Sequence, residues 1–392
     1  MPRRGAVLRL KKGREARARV HPWIFKGDVA DASDVEAGAV VTVVDAGGRF
    51  VGRGLFNPRP ALCCRIVTWE EEAVDAGFFA RRLAAAVDGR ARGGAVPEVA
   101  RLVWSEADGL PGLVVDRYGP VVVLQCLTLG MARVRGDLVA GLRSRLGDLP
   151  VFRADDPVVA QLEGFEPVVD WVDRAGPDEI VVDERGVRVA VSPGGGHKTG
   201  LYLDQADNRV RVASTAGRGE VLDVFAYTAG FACHALRAGA RRAVCVESSP
   251  EAIAGARRNL ELNGLADRAE IRAVNAFDEL RRLDRRRDRF DLIVLDPPPF
   301  ARSRTALEAA LRGYKEINLR ALRLLDPGGR LATFSCSYHV DETTFEATCR
   351  DAASDAGIRL RVVDRLTQAP DHPVLLTVPE TRYLKGLLLE AS

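Results

Sequence analysis

The sequence lacks several features that would place it directly in a protein class. No run of about 18 apolar residues occurs, although 47% of the 392 residues are hydrophobic, so no transmembrane helix is predicted. The basic N-terminal segment has no apolar stretch of the kind found in secretion signals. Seven cysteines form an odd number without any C-x-x-C spacing, which disfavours a disulfide framework and a zinc site. We therefore predict a cytoplasmic protein with reduced thiols, no metal and no membrane partner.

Lysine is also scarce, and the charge is unevenly spread. Residues 1–70 contain 13 Lys and Arg against 7 Asp and Glu, whereas residues 71–392 contain 44 against 47, which gives the overall charge of +3. A basic module joined to a nearly neutral body favours a polyanionic partner such as RNA. A solvated basic surface explains the same charge equally well.

The hydrophobic pattern divides the chain into three segments. In residues 1–70, short β-branched runs between glycine-containing turns predict a small β-rich module. Residues 71–178 predict an α+β middle domain, with helices over 71–94 and 134–146. From residue 179 to residue 392, strands alternate with helices, which predicts a doubly wound parallel α/β sheet. The predicted strands of this last segment are Glu220–Val224, Ala243–Glu247, Glu270–Val274, Leu292–Leu295 and Arg330–Ser335.

Small and polar residues follow the first three of these strands, at the edge where such sheets bind ligands. The turn Phe225–Phe231 lets backbone N–H groups approach a ligand, and Glu247 can accept hydrogen bonds from ribose hydroxyls. Asn275 can accept from an adenine amino group, and Phe277 adds an apolar wall. The residues predicted to bind the cofactor are Asp223, Phe225, Tyr227, Thr228, Gly230, Glu247, Ser248, Asn275, Ala276 and Asp296.

This pocket offers places for adenine and ribose but no G-x-G-x-x-G phosphate cradle, which favours S-adenosylmethionine over a dinucleotide. The segment Ser192–Thr199 is similar to a P-loop, but His197 stands where glycine is required before Lys198, so nucleoside triphosphate binding is not predicted. A plain α/β sheet with capping residues at the strand ends is the alternative interpretation.

The fourth and fifth strands end in the predicted catalytic residues. Asp296 is followed by three prolines, which lack N–H groups and have a fixed φ, so a rigid loop leaves this strand. Cys336 ends the fifth strand between two serines. Its thiolate can add to carbon 6 of a cytosine and so activate carbon 5, while Asp296 stabilises charge on the ring nitrogen. A strand terminator and a buried core thiol are the structural alternatives.

These residues resemble the RlmI-like family of large-subunit rRNA cytosine-C5 methyltransferases, which carry an N-terminal PUA domain. The resemblance covers nearly the whole chain and implies a PUA RNA-binding β-barrel over residues 1–70, a middle domain over 71–178 and a Rossmann-like class I methyltransferase domain over 179–392. It implies S-adenosylmethionine as cofactor, Cys336 as nucleophile and 23S rRNA as partner, and it adds Gln205 to the cofactor residues. The matching motifs are His21–Asp28, Gly52–Asn57, Gly196–Gln205 with Asn208 and Arg209, Asp296–Pro298, Ser335–Ser337, Asp371–Pro373 and Tyr383–Gly386.

The chain departs from the family pattern at three positions. Pro299 stands on the loop where some cytosine methyltransferases carry a second cysteine, so the base that removes the carbon 5 proton is unassigned. Ala229 replaces a frequent glycine, and Asn275 replaces the usual aspartate. Exchanging a charged acceptor for a neutral one at residue 275 should weaken cofactor binding by on the order of 1 kcal/mol.

Two other functions remain open at this point. An N-methyltransferase acting on guanine or adenine in RNA would share the Asp296 loop but would not need Cys336. A non-catalytic RNA-binding factor would bind no S-adenosylmethionine. A homodimer is compatible with the sequence, which does not fix the oligomeric state. In all three functions the predicted RNA contacts are Lys11, Lys12, Trp23, Lys26, Arg53, Arg302 and Arg304.

Overall fold

A computed structural model describes residues 6–32, 35–194, 200–301 and 304–392 of the chain. Within these ranges the structure contains twenty β-strands in three sheets and one hairpin, together with eleven α-helices. None of those helices combines the length and the apolar character needed to cross a membrane.

The first sheet has six strands in the spatial order β2-β6-β5-β4-β1-β3. β1 and β4 run parallel, whereas the other neighbours are antiparallel. Alternate residues of β4 point inward, and they pack with Leu8, Ile24 and Ile66 in one apolar core. The strands are β1 Val7–Leu10, β2 Trp23–Phe25, β3 Val29–Asp31, β4 Val40–Val44, β5 Phe50–Phe56 and β6 Leu62–Thr68, and helix α1 is Glu15–Ala18.

The second sheet has five strands in the order β11-β10-β9-β8-β7. Helices α2 and α4 cover it, and Phe78 and Phe79 of α2 are buried in its core. The side chain of Asp75 caps α2 by accepting from the backbone N–H of Phe78. The strands are β7 Val99–Trp104, β8 Leu113–Tyr118, β9 Val121–Cys126, β10 Val151–Ala154 and β11 Val169–Trp171, and the helices are α2 Ala76–Ala91, α3 Leu129–Arg133, α4 Arg135–Leu146 and α5 Pro157–Glu163.

The third sheet has seven strands in the order β16-β15-β14-β17-β18-β20-β19. The predicted purely parallel sheet is corrected here, because β20 runs antiparallel to both β18 and β19. A hairpin, β12 with β13, precedes this sheet. The strands are β12 Ile180–Glu184, β13 Val187–Val191, β14 Glu220–Val224, β15 Arg242–Glu247, β16 Ala269–Ala273, β17 Phe290–Leu295, β18 Leu325–Ser335, β19 Leu360–Thr367 and β20 Lys385–Ala391.

Six helices connect these strands, and three of them begin with a side chain that caps the first turn. Ser249, Asn275 and Asp341 accept hydrogen bonds from backbone N–H groups of α8, α9 and α11. Buried residues of α9, α10 and α11 share one apolar core with β14, β17 and β18. The helices are α6 Ala206–Ala213, α7 Gly230–Arg237, α8 Pro250–Leu262, α9 Ala276–Arg286, α10 Leu307–Arg323 and α11 Glu342–Ala356.

The chain forms two compact units. The first contains residues 1–180, 191–201 and 371–381, and the second contains residues 181–190, 202–370 and 382–392. Both the first and the second sheet lie in the first unit, which the boundary predicted at residue 70 would divide. The three-domain boundaries therefore stay a prediction.

Candidate active site

The predicted cofactor and catalytic residues that follow strands of the third sheet lie at the carboxyl ends of those strands. Its strand order reverses next to β14: the chain moves outward through β15 and β16, then returns to β17 on the other side. Ligands in such sheets bind beyond the carboxyl ends of the strands at this reversal. Val224 pairs with Leu295, and Leu295 pairs with Thr333, so β14, β17 and β18 end side by side.

The turn after β14 has a strained backbone. Phe225, Tyr227 and Ala229 all have positive φ values, of 63°, 49° and 60°, although none is glycine. The left-handed conformation costs a residue with a Cβ atom roughly 1–2 kcal/mol. Such strain collects at functional sites, where the fold holds a backbone in an unusual shape. Ala229, which is expected from the sequence to replace a glycine, has the left-handed backbone conformation that favours glycine.

Gly230 opens helix α7 in close contact with a buried arginine. A Cβ atom at this position would lie 2.6 Å from Nε of Arg209. Arg209 cannot easily move, because its Nη1 donates to both carboxylate oxygens of the buried Glu184, at 2.7 and 2.8 Å. Nη2 of Arg209 also donates to the carbonyl oxygen of Tyr202 at 3.1 Å. The ion pair between Arg209 and Glu184 is therefore buried against the start of α7 and restricts the turn that leads into this helix.

Glu247 ends β15 with its carboxylate next to this turn. Oε2 accepts from the backbone N–H of Tyr227 at 2.9 Å, and Oε1 accepts from Ser248 and Ser249 at 2.7 and 2.9 Å. A carboxylate can accept about four hydrogen bonds, so Oε2 retains capacity for another donor such as a hydroxyl. Thr228 lies in the same turn, and its carbonyl oxygen accepts from Asn259 at 2.9 Å.

Asn275 has a different contact from the one expected. Its Oδ1 accepts from the backbone N–H groups of Phe277 and Asp278 at 2.9 and 3.4 Å, which caps helix α9. That oxygen is therefore engaged, and the side-chain amide N–H groups are the atoms left to face a purine ring nitrogen. Ala276 is 7% exposed and packs in the core. Phe225, Phe277 and Phe300 form an aromatic group with ring centroids 5.8 to 6.5 Å apart.

Asp223 and Gln205 are the two most deeply buried of the predicted cofactor residues with polar side chains. Asp223 is 1% exposed, and Oδ2 accepts from the backbone N–H of Ala232 at 3.0 Å. Burial raises the pKa of this carboxyl to about 8. Gln205 is 2% exposed, and its Oε1 accepts from Asn208 at 2.6 Å. Its buried Nε2 has no hydrogen-bond partner among the residues that the structure describes.

A buried donor without a partner costs about 1–3 kcal/mol, so Nε2 of Gln205 fits a site completed by a polar ligand. Its Oε1 is already bonded, which leaves the N–H groups to meet an acceptor such as a carboxylate. The residues present therefore fit an adenosine-type cofactor with a charged amino-acid end.

Asp296 and Cys336 lie on neighbouring loops of the same unit. Sγ of Cys336 is 3.8 Å from the carbonyl oxygen of Pro297, the residue after Asp296. Cys336 is half-buried, whereas the other six cysteines are at most 3% exposed. Burial raises the pKa of Tyr202, and the neighbouring acidic groups of Tyr227, Asp296 and Cys336 raise it further. The ring of Tyr202 meets that of Tyr227 edge-on at 5.0 Å.

A buried hydroxyl network fixes the turn around Cys336. Oγ of Ser335 donates to the hydroxyl of Tyr314 at 3.0 Å, and that hydroxyl is 2.9 Å from Oγ of Ser337. Oγ of Ser337 also accepts from the backbone N–H of Ala301 at 3.2 Å. Since Ala301 belongs to the loop that begins at Asp296, this network joins the two predicted catalytic loops.

Three residues of this region, Tyr202, Tyr314 and Lys385, have no role that the sequence alone predicts. Tyr202 and Lys385 lie in motifs that resemble the family, but their types alone do not indicate what they contact. Tyr314 lies in the middle of α10, far in sequence from both loops, and its helical spacing is typical of a core residue.

The RNA-contact residues predicted in the first sheet have mixed surroundings. Lys11, Lys12 and Lys26 are exposed, while Arg53 is half-buried. The indole N–H of Trp23 donates to Oε1 of Glu106 at 2.8 Å, and its ring meets His21 edge-on. These contacts favour a structural role for Trp23. Arg302 and the motif residues 196–199 lie outside the described residues, as does the side chain of Arg304.

Comparison with known proteins identifies relatives over the whole chain. A family model described as S-adenosylmethionine-dependent methyltransferase matches residues 160–389, and one described as PUA-like domain matches residues 8–69. A Klebsiella pneumoniae protein named Ribosomal RNA large subunit methyltransferase I is 40% identical over 391 residues, covering 97% of this chain and 96% of the relative. A protein of the same name from Citrobacter koseri is 39% identical, covering 97% and 98%.

Two solved structures share the fold. A SAM-dependent methyltransferase structure from Streptococcus mutans has a TM-score of 0.85 at 18% identity and covers 98% of this chain and 99% of its own. One from Agrobacterium tumefaciens has a TM-score of 0.52 at 18% identity and covers 72% and 87%. These likenesses show that a PUA-like domain is followed along the chain by a methyltransferase domain with a Rossmann-like fold.

Proposed function

The chain belongs to the S-adenosylmethionine-dependent methyltransferase family, among proteins named Ribosomal RNA large subunit methyltransferase I, and from this premise we propose that it forms 5-methylcytosine in 23S rRNA. We also propose that the transfer takes place in the cytoplasm. The names of the relatives support ribosomal RNA as the substrate. The choice of cytosine carbon 5 depends on the residues of the site.

The placement of Cys336 carries this proposal. It is the half-exposed thiol among seven cysteines, and its sulfur is 3.8 Å from the carbonyl oxygen of Pro297. A thiol that only fills a core would be buried like the other six. A transfer to a ring nitrogen or an amino group needs no thiol, because those atoms are already nucleophilic.

The proposed reaction begins when the Cys336 thiolate forms a bond to carbon 6 of the cytosine ring. Asp296 stabilises the ring nitrogen as electron density moves onto the base. Carbon 5 would then take the electrophilic methyl group that the cofactor supplies, and the donor sulfur would keep the electron pair of the broken bond and become neutral. Loss of the carbon 5 proton to water would return the electron pair that expels the Cys336 sulfur. Cys336 leaves as a thiolate, and the methylated base is aromatic again.

We assign the cofactor to the carboxyl ends of β14, β15 and β17. S-adenosylmethionine would supply an electrophilic methyl group there. Oε2 of Glu247 would accept from a ribose hydroxyl, and Gln205 would donate from its buried Nε2 to the amino-acid end. Asn275 would donate to the adenine ring from its amide nitrogen, since its oxygen caps α9.

Replacement of Cys336 by alanine tests the choice of target atom. Incubate the wild-type protein and Cys336→Ala with labelled S-adenosylmethionine and total RNA from a strain that lacks the enzyme, then identify the labelled nucleoside by mass spectrometry. We expect labelled 5-methylcytidine with the wild type and a loss of at least about 1,000-fold with Cys336→Ala, since the covalent step disappears.

The matched control is Cys349→Ala, which removes a thiol that is 3% exposed in the core of α11. This variant should keep the nucleoside product. A labelled N-methylated purine would instead establish transfer to nitrogen, and full activity of Cys336→Ala would exclude the covalent route through this thiol.

A further inference from the structure

Lys385 is a buried lysine in the second unit, and the proposed reaction does not yet use it. It is the first residue of β20 and pairs with Ser335, the residue immediately before Cys336. Its side chain is 7% exposed, which is rare for lysine. Gly386 follows it, and a Cβ atom there would lie 2.5 Å from the ring of Phe334. Glycine thus lets β20 approach β18 closely at this point.

The ammonium group of Lys385 is directed at the backbone of the Cys336 turn. Nζ donates to the carbonyl oxygen of Ser337 at 2.8 Å and to that of Tyr383 at 2.8 Å. An ammonium has three N–H groups, and these carbonyls accept from two of them. Neither acceptor carries a full charge, so no ion pair within the described part of the chain explains why a lysine is buried here.

The charges around Lys385 come from several elements. Asp341 and Glu342 face it from the start of α11, and Arg382 faces it from the segment before β20. Across the site, Asp296 and Cys336 both interact electrostatically with Tyr202, and Cys336 also interacts with Tyr314. Burial lowers the pKa of Lys385 to about 8, and the negative charge of Cys336 opposes this shift. At neutral pH the lysine therefore still carries its proton.

We propose that Lys385 is a positioning residue that keeps Cys336 in its thiolate form by holding a buried ammonium group beside the turn that carries the sulfur. This inference rests on the proposed role of Cys336 as nucleophile. Ionisation releases the thiol proton to solvent through the half-exposed side of Cys336, while the ammonium keeps its own protons. A cation near a thiol favours the thiolate, the form that attacks carbon 6.

Alkylation of the folded protein tests this without RNA or methyl donor. Treat the wild type and Lys385→Met with iodoacetamide from pH 5 to pH 9.5, and follow the Cys336 peptide by mass spectrometry. The other thiols are at most 3% exposed, so the native protein reports on Cys336. We expect the midpoint of the Lys385→Met profile to rise by about one pH unit or more, with about tenfold slower alkylation at pH 7.

Two further variants complete the design. Lys315→Met removes a half-exposed lysine that pairs with Asp355 at 2.8 Å, and it should leave the midpoint unchanged. Lys385→Arg keeps a cation in place and should retain a midpoint close to that of the wild type. Its result decides the question if Lys385→Met does not fold, as circular dichroism would show.

The proposal is overturned if the Lys385→Met profile overlays that of the wild type, if Lys315→Met moves the midpoint as far, or if Lys385→Arg raises it by a full unit. Failure of the nucleophile assignment is a separate result, because it would appear as full methyl transfer by Cys336→Ala. Failure of the Lys385 proposal and failure of the nucleophile assignment are distinguishable, because the alkylation experiment contains neither RNA nor S-adenosylmethionine.

Discussion

Asp223 shows at the scale of one residue how burial sets a protonation state. Its carboxyl is 1% exposed beside the helix α7 N-terminus, and the negative charges of Asp296 and Glu247 add to the effect of burial. Its pKa is about 8 in the folded protein, against about 3.9 in an unfolded chain. A raised carboxyl pKa stabilises the folded state fully below pH 4, and this contribution is lost as the pH rises towards 8.

Replacement of Asp223 by asparagine should remove this pH dependence. The amide oxygen can still accept from the N–H of Ala232, but no charge has to be buried at higher pH. We expect the thermal stability of Asp223→Asn relative to the wild type to increase from pH 5 to pH 8, by at most about 1.4 kcal/mol per pH unit.

Asp278→Asn is the control, because Asp278 is exposed on α9. Its stability relative to the wild type should stay constant over the same range. A constant difference for Asp223→Asn as well would mean that Asp223 is ionised in the folded protein.

Some single residues of the site could be predicted from the sequence and others could not. Asp296 and Cys336 come directly after apolar runs that predict buried strands. Their place at the carboxyl ends of these strands therefore follows from the local sequence pattern. Lys385 reaches the site only because β20 inserts antiparallel beside β18. Pairing over such a distance leaves no local signal. The engagement of Asn275 as a helix cap was likewise missed, although asparagine before a helix is a common cap.

At the scale of the element, the predicted bounds of a strand agree with the observed ones in β14 but not in β18. β14 has the predicted bounds Glu220–Val224. β18 begins at Leu325 instead of Arg330, because Leu325 already pairs with Phe290. The residues Asp326–Gly329, which predict a turn, form an irregularity inside the strand, where the pairing register shifts and Gly328 has a φ of 76°. The sequence pattern does not predict β20, so the predicted sheet is parallel, whereas β20 in the structure runs antiparallel to β18.

Helix α10 contributes Tyr314 to the surroundings of the Cys336 turn. The Tyr314 hydroxyl bridges Ser335 and Ser337, and it is fully buried. Tyr314→Phe removes that bridge and leaves buried serine hydroxyls with fewer partners, so we expect about 1–3 kcal/mol of destabilisation. Because the serines flank Cys336, we also expect kcat to fall by about tenfold or more, with little change in the KM for S-adenosylmethionine.

Tyr118→Phe provides a matched control in the second sheet. Tyr118 is also fully buried, and its hydroxyl accepts from the backbone N–H of Leu201 at 3.1 Å. It should cost similar stability without lowering kcat. Equal kcat values for the two variants would show that the Tyr314 hydroxyl only supports the fold.

At the scale of the whole molecule, buried polar contacts explain why the first two sheets belong to one unit. Asn57, at the end of the first sheet, donates to the carbonyl oxygen and to Oε2 of Glu163 at 2.8 Å each. Residues 371–381 join this unit from far along the chain: Asp371 accepts from the N–H of Arg101, and Glu380 lies 3.1 Å from His21. Composition and periodicity carry no trace of such pairings, so unit boundaries could not be predicted from them.

The basic first 70 residues predict how strongly RNA binding depends on salt. If Lys12, which is exposed, contacts a phosphate, Lys12→Gln should weaken RNA binding and reduce the slope of log affinity against log salt by about 1. Filter binding over a series of KCl concentrations measures this slope. Arg286→Gln, on the exposed surface of α9, is the control.

An unchanged slope for Lys12→Gln would place the RNA elsewhere on the protein. An equal reduction for Arg286→Gln would mean that diffuse charge, rather than a defined contact in the first sheet, governs the affinity.

The position of β20 between β18 and β19 also constrains how the protein is made. β19 is synthesised before β20 but can join the sheet only through it. Until β20 leaves the ribosome, the edge of β18 next to the thiol has unpaired backbone groups that could associate with other nascent chains. Assembly of the turn that carries Cys336 is thereby delayed until late in translation, and chains cut short before residue 385 should aggregate rather than accumulate as partly active enzyme.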